Sequence, residues 1–191
     1  MSTLQLTRLD EIVDIATDLF KSKGYIGTSM RDLADAVGIE AASLYSHVDS
    51  KDELLQNVCF RMAVRFAGNS DQVLNTPNCS NTELLEMLIH GHVGIITEDI
   101  NGTAVFWNEW KYLSEPAHSE LSQMQRDYEL KFKLVLDAGV ESGEFIIEDT
   151  TFTTMAILSS LNGLQKWRSY SMPPEDMGCA FSELFIKGIK S

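Results

Sequence analysis

The chain has 191 residues, 44% of them apolar and 23% charged, which is enough for a real hydrophobic core and far from the composition of a disordered polymer. Its net charge of −13 argues against simple electrostatic capture of nucleic acid, and even within residues 1–55 five cations (Arg8, Lys21, Lys23, Arg31, Lys51) meet ten acids, a balance of −5. Cys59, Cys79 and Cys179 are scattered without a CxxC pair or a histidine at ligand spacing, so neither a disulfide framework nor a zinc site is expected, and no cofactor.

Leu9, Ile12, Val13, Ala16, Leu19 and Phe20 recur at steps of three and four, the stripe of an amphipathic helix. Thr7 with Asp10 supplies a capping-box start and Gly24 a stop. The same punctuation repeats: Ser29 with Asp32 opens a short helix that Gly38 ends, and Ser50 with Glu53 opens a longer one through Leu54, Leu55, Val58, Met62 and Phe66. After the polar break Asn75-Thr76-Pro77-Asn78, Ser80 to Glu83 reads as the start of another helix. Further helices are expected over about Val105 to Leu113, Ala117 to Ser142, Thr150 to Tyr170 and Pro174 to Ile189. Glu144 to Ile147 is the one hint of a strand and reads better as a loop. The expectation is an all-α protein of about nine helices. No apolar run reaches membrane length, and Met1 to Thr7 has neither the basic nor the apolar region of a secretory leader, so a cytoplasmic location is expected and the triplets Asn78-Cys79-Ser80 and Asn101-Gly102-Thr103 carry no glycosylation meaning.

Between Ser29 and Val48 the order is short helix, glycine turn, short helix. Ala34 allows two steeply crossing helices to approach, Gly38 tolerates the positive φ of the turn, and Leu33, Val37, Ile39 and Leu44 can pack the pair on the first helix. Glu40, Ala41, Ala42, Ser43, Tyr45, Ser46 and His47 are then left facing outward, free to enter a major groove. Glu40 stands where a carboxylate favours the positive start of the second helix.

The stretch from Thr28 to Leu55 closely resembles the DNA-binding signature of TetR-family regulators, with Ala42 where a glycine is common and Val48 where an aromatic residue is usual. The resemblance implies a three-helix DNA-binding domain with a helix-turn-helix over residues 1–50. It also implies a larger helical ligand-binding and dimerisation domain over residues 51–191, with residues 51–74 as the linking helix. By position it makes Tyr45, His47 and Lys51 contacts to phosphate, adds Ser29 and neighbouring N–H groups at the start of the first motif helix, and brings Ala41, Ala42 and Ser43 to base edges.

Residues suited to line an apolar effector site are Met87, His90, Trp107, Trp110, Tyr128, Phe132 and Met155, with Ser159 and Asn162 as directed polar groups; ordinary core packing is the competing explanation for each. The segments from Phe106 to Leu113 and from Leu161 to Trp167 look like TetR-type regulators of lipid and acyl-coenzyme A metabolism, which implies a small hydrophobic effector such as an acyl-CoA or fatty acid. Leu158, Leu161, Leu164, Trp167, Phe181, Leu184 and Phe185 offer more apolar surface than one terminal helix pair needs, and pairing with a second copy would bury it. The partners expected are double-stranded operator DNA, the effector and a second copy, with no membrane. The rivals are a helical interaction protein that has lost DNA binding and a small helical enzyme. No serine elbow, phosphate loop or HExxH motif supports the enzyme.

Overall fold

The computed structural model describes residues 7–167 and 172–190. Tyr170, the expected end of one helix, and residues 1–6 of the segment expected to carry no leader lie outside the described residues. The described part is helical throughout: α1 (Arg8–Lys23), α2 (Met30–Val37), α3 (Ala41–Leu44), α4 (Lys51–Leu74), α5 (Asn81–Glu98), α6 (Ile100–Glu109), α7 (Ala117–Glu141), α8 (Thr150–Asn162) and α9 (Pro174–Ile189), with 3-10 turns at Trp110–Tyr112 and Gly163–Lys166. Among these residues no helix is long and apolar enough to cross a membrane. The three cysteines are free, Cys59 in the core with burial pushing its thiol up to about 12, where it stays a neutral, inert thiol.

Two compact units emerge, one made of the described residues up to Met62 with Asn101–Leu121, the other of Ala63–Ile100 with the described residues from Ser122 on. In the first, Ile12, Val13, Ala16 and Phe20 of α1 are buried in one core with Leu33, Leu44, Val48, Leu54, Leu55 and Val58. In the second, α5 packs on α9, and Gly178 lets the ring of His90 lie where a Cβ would stand 2.7 Å from its Nδ1.

Local chemistry sets most helix ends. Thr7 and Asp10 cap each other, as do Ser29 and Asp32, and Ser80 and Glu83. At the fourth expected start, Ser50 Oγ accepts from the Glu53 N–H (3.1 Å), while the Glu53 carboxylate reaches back to the N–H of Asp49 (2.6 Å). Glu144 adds a cap from far away in the chain. Its carboxylate accepts from the N–H groups of Asn81 (3.2 Å) and Thr82 (3.0 Å), the first two of α5, and from the Asn81 amide (2.7 Å) and Thr82 hydroxyl (3.0 Å). Those bonds, the Thr82 N–H first, hold its carboxyl down to about 2.

Two helices differ from their expected limits. The sixth helix starts at Ile100 rather than near Val105, because Gly102 and Thr103 are buried inside it rather than forming a break. The eighth ends at Asn162 and tightens into the 3-10 turn at Gly163. Phe145 and Lys190 form an isolated antiparallel bridge, the only extended pairing among the described residues.

Candidate functional site

The helix-turn-helix is built by two backbone devices. Gly38 sits at φ 76°, ψ 33° and its N–H, with that of Ile39, donates to carbonyls of the last turn of α2 (Gly38 to Asp35 O, 3.2 Å; Ile39 to Ala34 O, 3.0 Å). A Cβ there would meet nothing within 4 Å, so the glycine is required by conformation and not by space. The Glu40 carbonyl then accepts from Ser43 (2.9 Å) and Leu44 (3.1 Å) to start α3. Glu40 is the N-cap by backbone, and its side chain makes no capping hydrogen bond.

Regular α-helix covers only Ala41–Leu44, but hydrogen bonds continue from Ser46 to Ser43 O (3.2 Å), and from His47 (3.0 Å) and Val48 (3.1 Å) to Leu44 O. Leu44 and Val48 point into the core, so Val48 fills a place an aromatic side chain would otherwise take. Ala41, Ala42, Ser43, Ser46 and His47 are exposed with Glu40, and Tyr45 is 52% exposed. One face is therefore spent on packing and the other is open.

The cations of this unit are mostly engaged. Arg8 pairs with Glu11 (2.7 Å), Lys23 with Asp32 (2.8 Å), and Lys21 donates to the Asn101 side chain. Lys23, and then the Ser29 hydroxyl and N–H, hold the Asp32 carboxyl well below the usual carboxylate range. Ser29 thus stands exposed at the start of α2 with its hydroxyl bonded to Asp32. Lys51 donates to the carbonyls of Tyr25 (2.8 Å) and Thr28 (2.7 Å). Arg31, on the first turn of α2, is exposed and takes part in no ion pair among the described residues.

Residues 12–58 match the model of the bacterial regulatory proteins of the tetR family, and residues 78–189 match that of the tetracyclin repressor-like C-terminal domain. The chain belongs to the TetR family.

A relative in Rhodococcus jostii, the transcriptional repressor KstR2, is 30% identical over 139 residues, covering 72% of this chain and 68% of that one. The structure of the ketosteroid regulator KstR2 of Mycobacterium tuberculosis superposes with a TM-score of 0.91 at 21% identity over 98% and 97% of the two chains. AibR, solved with isovaleryl coenzyme A and operator DNA, gives 0.83 at 19% over 93% and 97%. The protein is thus a DNA-binding transcriptional regulator and not an enzyme, and as a bacterial TetR regulator it works in the cytoplasm.

In the second unit of this TetR protein, the residues marked for an effector fall into two groups. Tyr128, Phe132 and Asn162 converge on His92, two residues beyond the expected His90. The Tyr128 hydroxyl donates to His92 Nδ1 (2.8 Å) and Nε2 donates to Asn162 Oδ1 (3.0 Å), an assignment required because a carbonyl oxygen can only accept. Phe66 lies 4.9 Å and Phe132 6.4 Å from the imidazole centroid. Complete burial pushes His92 down to about 3 and drives the Tyr128 hydroxyl upward, so both are neutral. His90, Met155 and Ser159 are exposed and Met87 is half-buried, so they do not join this cluster. Trp107 and Trp110 belong to the first unit, the one edge-on to Phe106 and the other stacked on His118 at 5.0 Å.

Of the residues assigned to a second copy, Leu158, Leu161, Leu164 and Phe181 are already buried in the protomer, which leaves them little to offer a partner. Leu158 and Leu161 lie on the stripe that α8 turns to its own core, Leu164 is buried in the 3-10 turn and Phe181 on α9. Leu184 is 68% exposed, Trp167 is exposed and Phe185 half-buried. Phe152 of α8 is 71% exposed as well; a lone aromatic beyond the leucine stripe gives no signal in sequence.

Proposed function

We propose that this TetR regulator represses transcription by binding a palindromic operator as a dimer, and that a small hydrophobic molecule releases it. The observation that carries the DNA half is the one-sided α3 segment: Leu44 and Val48 anchor it while Ala41, Ala42, Ser43, Tyr45 and His47 stand outward together. Such a face suits a major groove, with Ala41, Ala42 and Ser43 toward base edges and Tyr45, His47 and Arg31 toward phosphate. Ser29 and the first amides of α2 add donors, and Glu40 at the rim disfavours phosphate and suits a cytosine amino group. With so few free cations, binding is salt-sensitive and modest. Repression is the activity named for the KstR2 relatives.

For the effector, support comes from the aromatic surroundings of His92, Tyr128, Phe132 and Asn162, an apolar interior with a few directed polar groups. KstR2 is named for ketosteroids and AibR was solved with isovaleryl coenzyme A, and both share this fold. A lipophilic acyl-CoA or fatty acid is the class to try first. For the dimer, the exposed apolar side chains Phe152 and Met155 of α8, Leu184 of α9 and Trp167 after the 3-10 turn support a two-fold contact. Symmetry then sets the two α3 segments about 34 Å apart, one DNA turn. Functionally, residues 1–50 carry DNA binding and 51–191 the effector and the dimer.

A gel shift with the DNA upstream of the protein's own gene, run at low and moderate salt, tests the DNA half, and no shift in either overturns it. Calorimetry of an acyl-CoA with free and operator-bound protein tests release: weaker binding to the complex is expected, and equal affinity refutes the coupling.

A further inference from the structure

The connection from Gly24 to Thr28 is held by one ammonium group. Lys51 Nζ donates to the carbonyls of Tyr25 (2.8 Å) and Thr28 (2.7 Å) and lies 4.3 Å from the centroid of the Tyr25 ring. The Tyr25 peptide is gripped from its other side as well, where its N–H donates to Glu109 Oε2 (3.0 Å). The ring stacks on Tyr112 at 5.7 Å and meets Phe20 edge-on at 5.5 Å. Thr28 is buried, with its hydroxyl donating to Gly24 O (2.8 Å), and the next residue, Ser29, caps α2. The position of the first turn of α2 relative to the start of α4 is therefore set through Lys51.

We infer that Lys51 is a positioning residue for DNA binding and not a phosphate contact. A lysine ammonium has three donors, and two are spent on carbonyls while the charge faces a ring. To swing out to a phosphate it would exchange two charge-assisted bonds and a cation–π contact for one bond and leave a carbonyl beside the buried Thr28 without its partner; only the third N–H could meet a phosphate without that exchange. Its contribution to operator affinity is then the fixed entry of α2 and α3, worth about tenfold in Kd.

The inference rests on the DNA-binding reading, and the test separates the two. Operator affinity of wild type, K51M and K51R is measured by fluorescence anisotropy across a salt series, with circular dichroism to confirm the fold. Loss of a phosphate contact lowers the slope of log K against log salt by about one per half-site. The expected result is about tenfold weaker binding by K51M with the wild-type slope, and weaker binding by K51R too, because a flat guanidinium does not fit where a compact ammonium sits between two carbonyls and a ring. In DNA-free protein, hydrogen exchange at the Thr28 amide, which donates to Tyr25 O (3.3 Å), should be faster in K51M. A slope reduced by about one in K51M, wild-type affinity in K51R, or unchanged exchange overturns the inference while leaving DNA binding intact. Failure of the wild-type protein to bind operator overturns the reading beneath it.

Discussion

Tyr45 and His47 owe their exposure to two residues that face the other way. Leu44 and Val48 are held in the core, and the backbone bonds between them carry the two polar side chains outward. Replacing either Tyr45 or His47 by Ala should weaken operator binding across sequences, while changes at Ala41 or Ser43 should shift which sequence is preferred; anisotropy on a panel of operator variants distinguishes the two behaviours. Gly38 at φ 76° is the other residue on which this face depends. G38A should cost about 1–2 kcal/mol of stability by forcing a Cβ into left-handed backbone, measured by urea unfolding. The glycine and the outward set were legible from spacing alone. The commitment of Lys51 to two carbonyls was not, since residues 26 and 23 positions away in the chain supply them.

Between elements, the contrast is between caps made within one turn and bonds made across the fold. Ser29 and Asp32, three residues apart, could be paired on sight, and S29A should cost about 1 kcal/mol. Glu144 caps α5 from more than sixty residues away, and nothing local announces it. Its folded carboxyl is depressed to about 2, so its contribution is present above the unfolded value near 4.5 and lost as pH falls through 2; E144Q should remove that dependence from acid unfolding curves. His92 ties α5 to α7 and α8 and is also depressed, to about 3 from 6.5, so the unfolded chain binds the extra proton in that window. Stability should therefore fall from pH 6.5 to 5, above the carboxylate range, by at most about 1.4 kcal/mol per pH unit, and H92Q should flatten that slope in calorimetric melts. The early start of α6 escaped prediction for a related reason: Gly102 reads as a breaker until tertiary burial claims it.

At the scale of the molecule, the helical architecture and the family signature were readable because capping boxes and apolar stripes repeat along the chain. The surface left for a second copy was not, because a leucine stripe looks the same whether it faces its own core or a partner. Leu184 and Phe152 are the exposed apolar side chains on which the proposed pairing is best tested. L184E should shift sedimentation toward monomer and weaken operator binding in parallel, since each half-site alone holds few cations.

The most direct test of the central claim is operator binding by the wild-type protein and by the Y45A/H47A double variant, titrated on the DNA upstream of its own gene at low and moderate salt. Specific, salt-sensitive binding by the wild type that the double variant loses while still folded is the predicted result. Equal binding by both proteins, or none by the wild type at low salt, would contradict it.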